Sequence, residues 1–185
     1  QSDDVSGLDV EGDWVVAIHP QNGATAFNKS AAGSAVTLNE ANSDLDSDNP
    51  TGIAIHNGVA YIGTADDGLN RYIIANDTFL GSWVSTGIND VNFAPLAILG
   101  TNPQVLHMGL PGYGVARKDL SSGEILIPLT VEPNRPNPSA TEILPSNQVY
   151  ALEANTGNSG LFIGTSDGAI YWDGNSASEL SRGNS

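Results

Sequence analysis

The sequence predicts an all-β fold made of repeated four-stranded units, and two observations carry this prediction. The first is a repeated segment, in which YIGTADDGLNRY at residues 61–72 returns as FIGTSDGAIYW at residues 162–172. A degenerate copy lies between them, because His107–Leu110 and Gly114–Arg117 follow the first segment at a constant offset of 46 residues. The second observation is the alternation of apolar with small or polar residues around tight turns, which is typical of antiparallel strands.

Each unit is predicted to contain four short strands. The first strand has alternate apolar residues, as in Leu8/Val10, Ile53/Ile55, Leu96/Ile98 and Val149/Ala151. The second strand is an apolar run that ends in glycine, at Val59–Gly63 and Gly160–Gly164. An Asp-Gly pair then supplies the positive φ of a hairpin turn, at Asp67-Gly68 and Asp167-Gly168. The third strands follow at Leu69–Ile74 and Ala169–Trp172, and weaker fourth strands at Thr78–Trp83, Glu124–Leu129 and Ala177–Leu180.

Four strands in a unit of about 45 to 55 residues are typical of a β-propeller blade. The segments YIGTADDGLNRY and FIGTSDGAIYW resemble the two-component regulator propeller repeat, which has an apolar pair, Gly-Thr, a polar turn and Gly-Leu before an aromatic residue. The third unit loses the threonine and the aromatic residue, and the first lacks Gly-Thr. The resemblance implies the fold and no particular activity. We therefore predict one propeller domain over residues 1–185, with blades near 7–50, 51–95, 96–145 and 146–183.

Four blades are the lower limit for a closed propeller. The chain is therefore a closed four-bladed ring, a half-ring that dimerises into an eight-bladed propeller, or a fragment of a larger propeller. An open half-ring exposes apolar flanks and unpaired strand edges, which another molecule or a longer chain must cover. All three arrangements stay open, and a homodimer is slightly favoured.

Composition and charge exclude several function classes. Six Lys+Arg against 21 Asp+Glu give a net charge of −15, which repels nucleic acids and anionic lipid surfaces. No apolar run has the ~18 residues of a membrane helix, so we expect no membrane insertion. The absence of cysteine removes disulfides, thiolate metal sites and cysteine nucleophiles. The few lysines and the abundance of Asn, Gly and Asp favour an extracellular or periplasmic location.

The candidate metal ligands are Asp44, Asp46 and Asp48, which alternate in the connection between the first two blades. Calcium accepts six to eight oxygen ligands from irregular loops, so these carboxylates form a weak candidate calcium site. The spacing begins like an EF-hand loop, but its sixth position is Asn49 rather than glycine and its twelfth is Ile55 rather than glutamate. A solvated connection is the favoured interpretation, and calcium is the one cofactor considered.

Histidines and arginines complete the inventory of candidate site residues. His19, His56 and His107 fall at different positions of the repeat, so we do not expect them to converge on a metal. Arg71 and Arg117 are equivalent under the repeat offset, and we expect each to form ion pairs between blades.

No catalytic motif is present: the sequence lacks a Gly-x-Ser-x-Gly elbow, a His-Glu-x-x-His helix and a phosphate-binding Gly-x-x-x-x-Gly-Lys loop. Asp9 is the one acid expected to face a propeller channel. Its counterparts in the other blades are predicted to be Ala54, Ala97 and either Tyr150 or Ala151. A lone channel acid is more typical of a hydrogen-bonding role than of catalysis, so we predict no catalytic residue.

These observations favour a non-catalytic, exported module that binds an unknown ligand, either a protein or a glycan. The Pro-rich run Val131–Ser139 is the first candidate for a recognition loop, since long propeller loops carry ligand contacts. Two alternatives stay open. One is a glycan-cleaving hydrolase or lyase that uses channel carboxylates, and the other is the extracytoplasmic sensor part of a signalling protein.

Overall fold

A computed structural model of the chain describes residues 4–31, 33–65, 68–82, 96–99, 104–130, 143–155 and 160–180. These residues form strands joined by turns, with one short 3-10 helix at Ile74–Asn76 and no α-helix. The strands make four four-stranded antiparallel sheets, each with its strands in sequence order. This meander is the blade of a propeller, and the prediction of an all-β fold with four four-stranded blades is confirmed. The candidate recognition loop Val131–Ser139 lies outside the described residues.

The first two sheets follow the first two repeats. The first contains β1 (Gly7–Glu11), β2 (Trp14–His19), β3 (Gly23–Asn28) and β4 (Val36–Leu38). The second contains β5 (Pro50–His56), β6 (Val59–Thr64), β7 (Leu69–Ile73) and β8 (Thr78–Ser82).

The last two sheets follow the same plan. The third contains β9 (Leu96–Leu99), β10 (Val105–Leu110), β11 (Gly114–Asp119) and β12 (Ile125–Leu129). The fourth contains β13 (Val149–Asn155), β14 (Gly160–Thr165), β15 (Gly168–Trp172) and β16 (Ala177–Glu179).

The chain divides into two compact units, Gln1–Phe93 and Ala94–Ser185, with two sheets each. In the first unit, one face of the first sheet packs against one face of the second. This core includes Val16, Ile18, Ala26, Ile53, Ile55 and Ile62. In the second unit, Val115 and Leu129 of the third sheet pack with a group from the fourth that includes Leu161, Ile163, Ile170 and Trp172. The strands β2, β5, β6 and β14 contribute alternate residues to these cores, as the period of two requires.

The cross-strand register repeats from sheet to sheet. Tyr61 of β6 lies opposite Arg71 of β7, and His107 of β10 lies opposite Arg117 of β11. The equivalent pairs are Val16 with Ala26 in the first sheet and Phe162 with Tyr171 in the fourth. Arg71 and Arg117, which match under the repeat offset, therefore also occupy the same position in their strands.

Candidate functional site

A polar pocket lies in the first unit, between the β4–β5 connection and the beginning of β8. It has a volume of about 310 Å³. Its lining residues are Asn42, Ser43, Asp44, Asp77, Thr78 and Phe79. The pocket combines two carboxylates, an amide and hydroxyl groups with one aromatic ring. This mixture of oxygen acceptors and an aromatic surface suits a ligand rich in hydroxyl or N–H donors.

One wall of the pocket is held by a local turn around Asn39. The Asn39 side chain accepts hydrogen bonds from the N–H groups of Ala41 and Asn42, at 3.1 and 2.9 Å. The Ser43 hydroxyl donates to the carbonyl oxygen of Asn39 at 2.7 Å. Asparagine favours such turns because its short side chain reaches the backbone two residues ahead. The turn fixes the course of the chain as it enters Asp44.

The opposite wall is held by a buried tyrosine. The Tyr72 hydroxyl donates to the Asp77 carboxylate at 2.8 Å, and the Tyr72 ring lies 5.0 Å from that of Phe79. Burial, together with the hydrogen bond and the charge of Asp77, raises the pKa of Tyr72. The hydroxyl therefore stays protonated at physiological pH and keeps donating to Asp77. The pocket presents this carboxylate from a fixed position.

The three predicted calcium ligands lie on a bent connecting segment whose residues alternate in burial. Leu45 and Ser47 are buried, and Leu45 joins the core of the first unit, whereas Asp44 and Asp46 are exposed. Asp44 lines the pocket. Asp48 accepts the N–H of Glu40 at 2.8 Å, while the Glu40 carboxylate accepts the N–H of Asp48 at 2.9 Å. Within the described ranges, no group of three or more acidic, histidine or cysteine side chains is placed to hold a metal ion.

Calcium binding at Asp44, Asp46 and Asp48 stays a prediction with a direct test. A bound ion stabilises the folded state by about 2.7 kcal/mol at a hundredfold excess over its Kd. The hypothesis therefore predicts a higher melting temperature in calcium chloride than in a chelator, and loss of the difference in Asp46→Asn. The exposed Asp13 provides a matched control, since Asp13→Asn keeps all three candidate ligands. An unchanged melting transition removes the calcium hypothesis.

The predicted channel acid, Asp9, binds backbone groups. Its carboxylate accepts the N–H of Val10 at 2.8 Å and that of Ile55, in the next sheet, at 2.6 Å. Glu11 follows on the same face of β1 and accepts the N–H groups of Asn57 and Gly58, at 2.8 and 2.7 Å. Two carboxylates of the first sheet thus hold the inner strand of the second sheet and the turn that follows it.

The counterpart of Asp9 in the fourth sheet is Glu153, so the prediction of Tyr150 or Ala151 is wrong. Asp9 lies opposite Val16, and in the fourth sheet Glu153 lies opposite the equivalent Phe162. The prediction aligns Val149/Ala151 with Ile53/Ile55, whereas the strand register aligns Leu152 with Ile53, because Leu152 lies opposite Ile163 as Ile53 lies opposite Ile62. The Val149/Ala151 pair lies at the irregular beginning of β13, where the register shifts.

Removing the Glu11 carboxylate is expected to weaken the contact between the first two sheets. Hydrogen bonds to charged groups contribute about 1.5–3 kcal/mol, and Glu11 is partly exposed, so we expect Glu11→Ala to cost about 1–2 kcal/mol. Glu11→Gln keeps one acceptor oxygen and should cost about half as much. Urea unfolding measures both changes, with Glu179→Ala on the exposed β16 as the control. Wild-type stability in Glu11→Ala would contradict this role.

A second group of interest in the second unit contains the buried His107 and Trp172 and the half-buried Arg117. The Arg117 guanidinium lies 4.6 Å from the centre of the Trp172 ring, which is a cation–π distance. The His107 ring meets the same indole edge-on at 5.8 Å, and its Nδ1 lies 3.2 Å from the carbonyl oxygen of Val105. Burial, and then the charge of Arg117, lower the pKa of His107 to about 3. The imidazole is therefore neutral at physiological pH.

The three histidines lie in three sheets with different neighbours. The His19 ring contacts the Asp4 carbonyl oxygen and the Thr25 hydroxyl, at 2.9 and 3.0 Å. His56 lies 3.9 Å from the Glu11 carboxylate. Arg71 donates to the carbonyl oxygen of Leu80 at 3.2 Å, and its ion pair stays a prediction. These contacts give each of the four side chains a structural neighbour within its own sheet or the adjacent one.

No protein-family model and no curated protein sequence matches this chain. Solved structures do. The extracellular domain assigned to the hybrid two-component system BT4673 of B. thetaiotaomicron superposes with a TM-score of 0.68 at 19% identity, over 98% of this chain and 22% of that one. PorZ, a surface component of the type-IX secretion system of Porphyromonas gingivalis, superposes with a TM-score of 0.63 at 19% identity, over 94% of this chain and 26% of that one. The chain thus spans about a fifth to a quarter of these bacterial proteins.

A designed protein matches over nearly its whole length. The computationally designed Ika4 superposes with a TM-score of 0.63 at 16% identity, over 93% of this chain and 92% of Ika4. These likenesses establish the fold. The described part of the chain also has no helix of the length and hydrophobicity needed to cross a membrane.

Proposed function

We propose that this chain is a non-catalytic, extracytoplasmic propeller module that binds a ligand, as part of a sensor or as a separate binding protein. The observation that carries the proposal is its superposition, over 98% of its length, on the extracellular domain of a two-component system protein. The resemblance of its repeats to the two-component regulator propeller repeat supports the same assignment. The partner is a second copy or the remainder of a longer chain.

The polar pocket between Asp44 and Asp77 is the proposed ligand site. Its two carboxylates and the net charge of −15 disfavour anionic ligands. Carboxylate pairs beside an aromatic ring bind the hydroxyl groups of neutral sugars and the N–H groups of basic peptides. We therefore propose a neutral oligosaccharide as the ligand class, with a basic peptide as the alternative.

A binding screen tests this proposal. Neutral oligosaccharides and lysine-rich peptides are added separately to the purified chain, and its melting temperature is measured. Each compound that raises the melting temperature is then studied by calorimetric titration. We expect at least one oligosaccharide to bind, and Asp44→Asn to weaken that binding about tenfold, which corresponds to about 1.4 kcal/mol. Asp46→Asn is the matched control, since Asp46 is exposed two residues away and does not line the pocket. Equal loss in both variants, or binding of peptides alone, would overturn the assignment to sugars.

The glycan-cleaving alternative makes a different prediction at Asp9. If a channel carboxylate cleaves glycans, the chain releases new sugar ends from a polysaccharide, and Asp9→Asn abolishes the release. We expect no release from the wild-type chain, because both Asp9 oxygens accept backbone N–H groups. We expect Asp9→Asn to alter stability alone. Sequencing the full gene tests the sensor alternative. A sensor gene also encodes a membrane segment and a signalling domain.

A further inference from the structure

The first and fourth sheets each expose an apolar face. In the first sheet, Leu8 and Val10 lie on one side of β1 and are 60% and 48% exposed; we call this the Val10 face. In the fourth sheet, Glu153, Phe162 and Tyr171 lie in one cross-strand row; we call this the Phe162 face. Phe162 is 38% exposed, and its ring lies 5.0 Å from that of Tyr171. Exposed aromatic and aliphatic side chains grouped in this way mark an interaction surface.

Most of the equivalent positions that the structure describes in the other sheets are buried. The position of Phe162 is occupied by Val16, Tyr61 and His107 in the first three sheets, and all three are buried. The positions of Leu8 and Val10 are occupied in the second sheet by Ile53 and Ile55, which are buried as well. The repeat therefore uses both faces for contact between blades.

The first unit shows how the two kinds of face fit together. The row of Asp9 and Val16 in the first sheet packs against Ile53 and Ile55 of the second sheet, and the Asp9 carboxylate accepts the N–H of Ile55. The Phe162 face has the same row structure, with Glu153 in the place of Asp9. The Val10 face has the same apolar pair as the second sheet. One chain therefore carries both halves of a blade-to-blade contact.

We infer that the Phe162 face of one copy packs on the Val10 face of a second copy, and reciprocally, so that two chains form a dimer through two equal contacts. In each contact Phe162 and Tyr171 cover Leu8 and Val10, and Glu153 lies beside β1 as Asp9 lies beside β5. A second copy is the favoured occupant because Leu8, Val10 and Phe162 are all exposed in a single copy, and one partner of the same sequence supplies the complement of both faces. The superposition on the designed Ika8 covers 96% of this chain and 48% of Ika8, with a TM-score of 0.63, so the same fold also occurs as about half of a longer chain.

Light scattering over a range of protein concentrations tests the dimer. We expect a species of twice 19.2 kDa for the wild-type chain. Because each copy carries a net charge of −15, added salt should tighten the association. A monomer at every concentration, or aggregates without a defined mass, would overturn the inference. In the monomer case the two faces would pack on each other in a closed four-bladed ring or be covered by further blades of a longer chain.

Two substitutions separate this contact from any other. Phe162→Arg alters one face and Val10→Asp alters the other. Each contact of the dimer contains one face of each kind, so two copies of the same variant carry a substitution in both contacts. Either variant alone should therefore be monomeric. In an equimolar mixture, one contact holds both substitutions, which are oppositely charged, and the other holds neither. The mixture should therefore regain the dimer mass. Tyr113→Ser, at an exposed turn, is the control and should stay dimeric.

A mixture that stays monomeric would overturn the pairing of unlike faces, and so would a variant that remains dimeric alone. Circular dichroism of each variant establishes that it is folded before its mass is compared. The dimer is inferred from the two exposed faces and does not depend on the proposed function. Only its biological role, as the partner of a ligand-binding module, rests on that proposal. A failed ligand screen with an intact dimer would contradict the ligand proposal, whereas ligand binding by a monomer would contradict the dimer.

Discussion

Lowering the pH below about 6.5 is expected to destabilise the protein steeply, and replacing His107 should remove most of that loss. His107 is buried, and its pKa is lowered from 6.5 to about 3, first by burial and then by the charge of Arg117. The unfolded chain therefore takes up a proton at this histidine below about pH 6.5, whereas the folded chain does so only near pH 3. Within this window the unfolded state binds more protons. The free energy of unfolding therefore decreases by about 1.4 kcal/mol for each unit by which the pH is lowered.

Acid destabilises the protein because the buried imidazole of His107 is neutral in the folded state. Above pH 6.5 both states are unprotonated, and the contribution of His107 to the stability of the folded state is fully present. The groups that face the ring, Arg117 and Trp172, offer no carboxylate to stabilise a charged imidazole. A second positive charge beside Arg117 would also be repelled. Acid therefore favours unfolding over protonation of the folded protein.

Urea unfolding at several pH values between about 4.5 and 7 measures this effect in a range where most carboxylates are still ionised. We expect His107→Gln to show a clearly flatter pH dependence than the wild type, although its stability at neutral pH is lower. His56→Gln provides the control, because it leaves His107 in place and should keep the steep dependence. Parallel pH profiles for the wild type and His107→Gln would show that this histidine does not carry the acid sensitivity.

The repeat offset was sufficient to predict the sheets and much of their register. Tyr61 with Arg71 and His107 with Arg117 occupy the same cross-strand positions because the intervening turns have compatible lengths. Glu153 is not predicted as the counterpart of Asp9, because the alternation Val149/Ala151 suggests the wrong alignment for β13, whose register pairs Leu152 in the position of Ile53. An offset within a repeat is reliable only where no turn changes length. Glu153 is identified by its cross-strand partner, Phe162, and not by its distance along the sequence from the other repeats.

The candidate pocket was predicted only in part. Asp44 was identified from the alternation of acids, but Asp77 and Phe79 come from a segment more than thirty residues later and have no local signal of their own. The alternation itself has a simple structural cause, since Leu45 turns inward to the core and its acidic neighbours point outward. Short-range spacing therefore predicts which residues share a side of an extended segment. It does not predict which distant residues complete a site.

Gly23→Ala is expected to cause one of the largest losses of stability of any single methyl addition in this chain. Gly23 begins β3 with φ at +74°, a left-handed conformation that costs other residues about 1–2 kcal/mol. A Cβ at this position would also overlap the backbone carbonyl oxygen of Leu38 in β4. Backbone of a paired strand cannot move aside as a flexible side chain can, so overpacking adds about 1–3 kcal/mol. The total, about 2–5 kcal/mol, is a large share of the 5–15 kcal/mol typical of a domain.

Gly12→Ala separates the two causes of this loss. Gly12 has a similar φ of +58°, but nothing lies within 4 Å of the position that its Cβ would occupy. We therefore expect Gly12→Ala to cost about 1–2 kcal/mol, the backbone contribution alone. Thermal or urea unfolding of both variants gives the difference, which measures the clash with Leu38, and equal losses would contradict it. The same clash occurs in the third sheet between Gly114 and Leu129. In these two sheets the glycine is thus required by the neighbouring outer strand as well as by the turn, whereas nothing lies within 4 Å of the position of a Cβ at Gly168 in the fourth sheet.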